Sequence, residues 1–91
     1  MCPIETIEPD RHALALRALA WVLGEPDRAA RFLALTGLDP DDLRRRAGDA
    51  AVLVATLCFL ENHEPDLIAC AAAVETTPEA LTAARRRLEA A

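Results

Sequence analysis

The chain has 91 residues, enough for one domain and not for two. Its hydrophobic share of 53% is above that of disordered chains, and fifteen acids against ten bases leave a net charge of −5. Three unclustered cysteines make no disulfide framework, and the longest apolar run, residues 50–60, is shorter than the roughly 18 residues of a membrane span.

The first residues, Met1-Cys2-Pro3-Ile4-Glu5, carry an acid where a secretory signal carries bases, so a cytoplasmic protein is expected. Residues 1–8 are read as a flexible N-terminal tail and residues 9–91 as a single helical domain. The punctuation of that domain is regular. Proline follows an acid or threonine at Glu8-Pro9, Glu25-Pro26, Asp39-Pro40, Glu64-Pro65 and Thr77-Pro78. Proline suits the first helical turn because its missing N–H would have no intrahelical partner there, and the preceding residue can cap the new helix. Gly24, Gly37 and Gly48 fall where helices must stop, as left-handed C-terminal residues.

These marks predict six helices, at about 9–23, 26–36, 40–47, 49–62, 65–75 and 78–90. No segment alternates with the period of a half-buried strand. The fold class expected is therefore all-α, a compact bundle of short helices. The second half echoes the first: Glu25-Pro26-Asp27 returns as Glu64-Pro65-Asp66, and Asp39-Pro40 as Thr77-Pro78. Each half ends in an arginine triplet, Arg44 to Arg46 or Arg85 to Arg87. Two pseudo-repeated three-helix units, about 9–48 and 49–91, follow.

The fourth helix has no polar face, since Val52, Leu53, Val54, Leu57, Cys58, Phe59 and Leu60 point in all directions. A helix that is apolar all round must be surrounded. On the first helix, Leu16, Leu19, Ala20 and Leu23 form one apolar face, and Leu14, Ala18 and Trp21 lie almost opposite. A domain of this size buries only about 60–65% of its unfolded surface. Wrapping the fourth helix leaves little to cover the second face of the first. Leu14, Ala18 and Trp21 are accordingly the candidate partner-binding residues, with core packing as the competing reading. As an interface, this face predicts that Trp21→Ala alters oligomeric state more than thermal stability.

Chemistry finds little purchase. The chain has no Ser, and its glycines are isolated, so neither a serine nucleophile with its base nor a phosphate loop is present. Cys2, Cys58, Cys70, His12 and His63 lack zinc-type spacing. Cys58 and Cys70 are expected as small buried hydrophobes. No enzyme, cofactor or metal is expected. Arg44 and Arg45 are the second choice of contact residues. The triplets also suggest an Arg-mediated nucleic-acid-associated regulator, against which stand the acidic balance and the acids at helical spacing, Asp41 to Arg45, Asp42 to Arg46 and Arg85 to Glu89. The expected function is a cytosolic protein-binding or homodimerising module.

The segment Phe32-Leu33-Ala34-Leu35-Thr36-Gly37-Leu38-Asp39-Pro40, running on through Asp41-Asp42-Leu43-Arg44 and Ala47-Gly48-Asp49, resembles a family of small helical proteins of alphaproteobacteria that has no established activity. The likeness extends over about residues 12–88. It implies no catalytic residue and, at most, a bacterial signalling neighbourhood. Where the second repeat of that family carries Thr-Gly-Leu-Pro-Pro, this chain reads Val74-Glu75-Thr76-Thr77-Pro78, so the glycine of the turn is replaced by an acid.

Overall fold

A computed structural model describes residues 11–90, and within them the chain forms six α-helices and no strand. They are α1 (Arg11–Leu23), α2 (Pro26–Thr36), α3 (Pro40–Arg46), α4 (Ala50–Glu61), α5 (Glu64–Ala73) and α6 (Pro78–Ala90). The tail expected at 1–8 and the helix start expected at 9 lie outside the described residues.

The caps explain the boundaries. The Asp39 carboxylate accepts from the Asp42 amide at 2.8 Å, and the Thr77 hydroxyl accepts from the Ala80 amide at 3.1 Å. Glu25 also caps, accepting from the Arg28 amide at 2.8 Å, although glutamate is a less common cap. The two Glu-Pro starts differ, however. At α5 the cap position falls on His63, whose side chain makes no capping bond, and Glu64 is already helical.

The helix ends correct one expectation. Only Gly37 among the three glycines has a positive φ, 75°, and its amide donates to the Leu33 carbonyl at 2.9 Å. Its counterpart three residues before Pro78 is Glu75, which takes the same left-handed conformation at φ 61°. There the Glu75 amide reaches the Ala72 carbonyl and the Thr76 amide reaches the Ala71 carbonyl, the paired bonds of a Schellman stop. The turn is thus kept without the glycine. The hydrogen bonds hold a side-chain-bearing residue where its Cβ crowds the backbone.

Packing is organised by α4. Leu53, Leu57 and Leu60 are fully buried, and Val52 and Phe59 nearly so. Thr56 is buried too, but its hydroxyl donates to the Val52 carbonyl at 2.9 Å, so that hydroxyl is not stranded. Helices α1 and α6 form the largest contacts with α4, and they also pack on each other; α5 and α2 close the remaining sides. Phe32 of α2 meets Phe59 of α4 edge to face at 5.4 Å. The first two helices of each half pair as a duplication would place them: α2 packs on α1 and α5 on α4, and each also touches the other half's first helix. The third helices break the symmetry. Helix α6 lies across both α1 and α4, whereas the short α3 is peripheral and anchored by buried Leu43.

The inward face of α1 differs from the expected one. Ala15, Ala18, Leu19 and Val22 are buried, while Leu16 and Leu23 remain 38% and 37% exposed and Ala20 faces outward. Only Leu19 is common to the expected and observed cores. Alanines at 15 and 18 let the α1 backbone approach its neighbours closely, which leucines on that side would prevent.

Backbone conformation yields a paired test. Glu75→Gly should raise stability and Gly37→Ala lower it, each by about 1 kcal/mol, because only glycine adopts the left-handed region without strain. Gly48→Ala, at a site with open space and no positive φ, should not destabilise. Urea midpoints of the three variants measure this directly.

Candidate functional site

Helices α1 and α6 lie side by side on α4, and between them runs a groove of about 410 Å³. From α1 it is lined by Arg11, Ala13, Leu14 and Arg17; from α6 by Ala80, Ala83, Ala84 and Arg87. Val74, Glu75 and Thr76, in the turn that leads into α6, close one end. Arg17 fixes the register there by donating to the Val74 carbonyl at 2.6 Å, which also satisfies a free carbonyl at the end of α5. Because Arg17 meets the segment just ahead of α6, the two helices run antiparallel, and Arg11 and Arg87 belong to the opposite end. Six residues of α1 separate the two ends, about 9 Å along the axis.

The groove is open for a chemical reason. Ala80, Ala83 and Ala84 along its floor and Ala13 on its exposed rim supply one carbon each, so side chains do not fill the gap between the helices. Leu14, half-buried, gives the floor its largest apolar surface.

Charge is distributed unevenly over the ten arginines. Arg31 pairs with Asp66 at 3.0 Å, Arg44 with Asp41 at 3.3 Å, Arg46 with Asp49 at 3.2 Å, and Arg45 with Asp42. Arg85 binds Glu61 at 2.6 Å and Glu89 at 2.7 Å. Arg17 and Arg28 donate to backbone carbonyls. Among the described residues, Arg11, Arg86 and Arg87 have neither an acidic partner nor a hydrogen bond, and two of these three line the groove. Glu75 lines the other end, next in sequence to the Val74 carbonyl that Arg17 engages, so the groove has a basic end and an end that carries an acid.

The residues singled out from sequence are dispersed by the fold. Leu14 lines the groove. Ala18 is fully buried and belongs to the core, out of reach of a partner. Trp21 is half-buried beneath Arg28, whose guanidinium carbon lies 3.6 Å from the ring centroid and which also donates to the Trp21 carbonyl at 2.6 Å. Leu14, Ala18 and Trp21 therefore do not form one open patch. Arg44 and Arg45 are exposed and ion-paired, with Asp41 and Asp42 at i,i+3 spacing rather than the expected i,i+4. The two triplets sit on helices that share no packed interface.

Sequence reading missed Arg11 and Arg87, though a signal was there. Neither has an acid three or four residues away within its helix: Arg11 faces Leu14 and Ala15, and Arg87 faces Ala83, Ala84 and Ala90. What could not be read was that the two line one groove.

The remaining chemistry-bearing residues do not gather. Among the described residues no three His, Cys, Asp or Glu side chains converge. Cys70 is buried and Cys58 half-buried; both are free thiols. Burial pushes both thiols up, Cys70 to about 11, so at neutral pH they are protonated and poor nucleophiles. His63 and Arg31 share Asp66, a polar clasp between α2 and the start of α5.

Fold and site together define a small all-α bundle with an amphipathic groove between two of its helices, and among the described residues no helix is long and apolar enough to cross a membrane. The chain belongs to the family described as "Protein of unknown function (DUF3572)", whose family model matches residues 9–91. No curated protein matches it, and no solved structure does.

The thiols give a clean pH test, because the sequence has no Lys and no Tyr, leaving cysteine as its only side chain that titrates between pH 9 and 11. A folded-state pKa raised above the unfolded one contributes stability that is complete below the unfolded value and lost as pH rises through the folded value. Unfolding free energy should therefore fall by about 2 kcal/mol from pH 8.5 to 11. Cys70→Ala should flatten most of that slope in denaturant titrations, whatever its effect on absolute stability.

Proposed function

We propose that the chain is a non-catalytic helical module of the bacterial cytoplasm that works by binding another protein, with the α1–α6 groove as its contact surface. The observation that carries this reading is the combination of an apolar floor with two arginines that no carboxylate of the described residues answers. A folded chain with a surplus of acids ordinarily neutralises its arginines internally, and here five arginines are paired in that way. Leaving two unpaired beside exposed apolar surface suits a site completed from outside.

The extent of the groove favours a partner segment over a second copy packed face to face. A stable globular interface covers roughly 800 Å² per partner, whereas this groove spans about two helical turns. A nucleic-acid role is less well supported, since the triplet Arg44 to Arg46 is matched one for one by Asp41, Asp42 and Asp49.

Affinity purification of the tagged protein from the cells that make it, with nuclease added, tests the reading. A partner protein should co-elute after nuclease treatment and be lost at least tenfold with Ala83→Arg, which fills the groove and keeps a good helix former. Light scattering of the purified chain should report a monomer. Co-elution of nucleic acid, strong retention on heparin, or a partner indifferent to Ala83→Arg would refute it.

A further inference from the structure

Resting on that reading, we infer that the groove accepts an amphipathic α-helix of the partner whose apolar stripe lies on the alanine floor and whose acidic end meets Arg11 and Arg87. Three observations argue for a helix. Among the described residues there is no sheet edge to which an extended segment could add. The groove is the furrow between two antiparallel helices, the shape into which a third helix packs. Its length of about two turns accommodates two or three side chains at i, i+3 or i+4, and i+7 spacing. The alanines matter here because helix axes approach most closely where the side chains between them are small.

The polarity follows from charge. At one end Arg11 and Arg87 present two guanidinium groups without acidic partners among the described residues. At the other, Glu75 follows Val74, whose carbonyl Arg17 already engages. A carboxylate is therefore held better at the Arg11 and Arg87 end, and a base or neutral polar group at the Glu75 end. This orients the partner helix as well as selecting it.

A polyanion fits less well than a short acidic helix. Screening confines charge attraction to about 8 Å at physiological salt, so a helix of two turns feels chiefly the groove. A phosphate chain would continue past it over a surface whose balance is −5.

Photocrosslinking in the cells that make the protein tests this, with p-benzoylphenylalanine in place of Ala13 on the exposed rim of the groove, and in place of Leu16 and Leu35 on surfaces outside it. Ala13 should give an adduct whose partner peptide has more acids than bases and apolar residues at helical spacing. Arg11→Glu with Arg87→Glu should reduce that adduct at least tenfold, while Arg86→Glu, at a neighbouring unpaired arginine outside the groove, should leave it within twofold. Circular dichroism checks that the variants remain folded. A basic or non-periodic peptide, a lipid or nucleic-acid adduct, or an adduct to this chain's own residues, from its first ten or from a second copy, would overturn the inference. Protein adducts from Leu16 or Leu35 alone would overturn it too, while leaving protein binding intact. Absence of adducts from all three positions would overturn both.

Discussion

The structure depends on the burial of α4, a helix with no side to offer to water. Its leucines and Phe59 require neighbours around most of their circumference, and an isolated helix of this length would be neither soluble nor stable. Burying a leucine contributes roughly 1.5–3 kcal/mol, so the side chains of α4 form the largest block of stabilisation in so small a domain. The arrangement of the other helices follows from that demand. Helices α1 and α6 cover the most of α4, and each is then held against the other. The groove is a consequence of this. Two helices seated on a common third must run alongside each other, and where the facing side chains are alanines the space between them stays open.

The arginines divide by what they answer. Arg17 and Arg28 close the ends of α5 and α1, using long stems to carry a donor to carbonyls that the helices leave unsatisfied. Arg31 and Arg85 bridge between helices, through Asp66 and Glu61. Arg44, Arg45 and Arg46 pair locally on exposed surface, where each pair contributes at most about 1 kcal/mol. The first group is structural because a carbonyl would otherwise lack its partner. The last is chiefly solvation. Against that background Arg11 and Arg87 stand out. They neither close a helix nor bridge elements within the described residues, and they border the same apolar recess.

How much of this was legible in the chain follows from the range of each signal. Caps and stops are local, so Asp39-Pro40, Thr77-Pro78 and Gly37 placed helix ends correctly or within a residue or two. The centrality of α4 was legible because its apolar residues leave no angular choice. The orientation of α1 was not, for the same reason in reverse. With Leu14, Leu16, Leu19, Val22 and Leu23 distributed around the helix, hydrophobicity does not select a face. Close packing selected the alanines Ala15 and Ala18 instead, leaving Leu16 and Leu23 part-exposed. The groove lay further still from sequence reading, because it joins Arg11 to Arg87 across nearly the whole chain. No periodicity within one helix encodes that they line the same groove.

Glu75 connects the fold to the site. Its position is the counterpart of Gly37, and a left-handed stop is built at both, by a glycine with a single bond to Leu33 in one half and by a glutamate within a Schellman pair in the other. The backbone bonds of the stop are complete, so glycine would close the helix equally well and without the strain of roughly 1–2 kcal/mol that a side chain brings there. What glycine could not supply is a carboxylate on the groove's rim, opposite in sign to the arginines at its far end. Strain of this kind persists where surrounding structure imposes it, and here the Schellman bonds and the Arg17 contact at Val74 do so together. One residue thus terminates α5, sets the course into α6 and gives the recess between α1 and α6 its two unlike ends. Replacing Glu75 by glycine acts on the strain of the turn and on the polarity of the groove at once, while the backbone bonds of the stop stay in place.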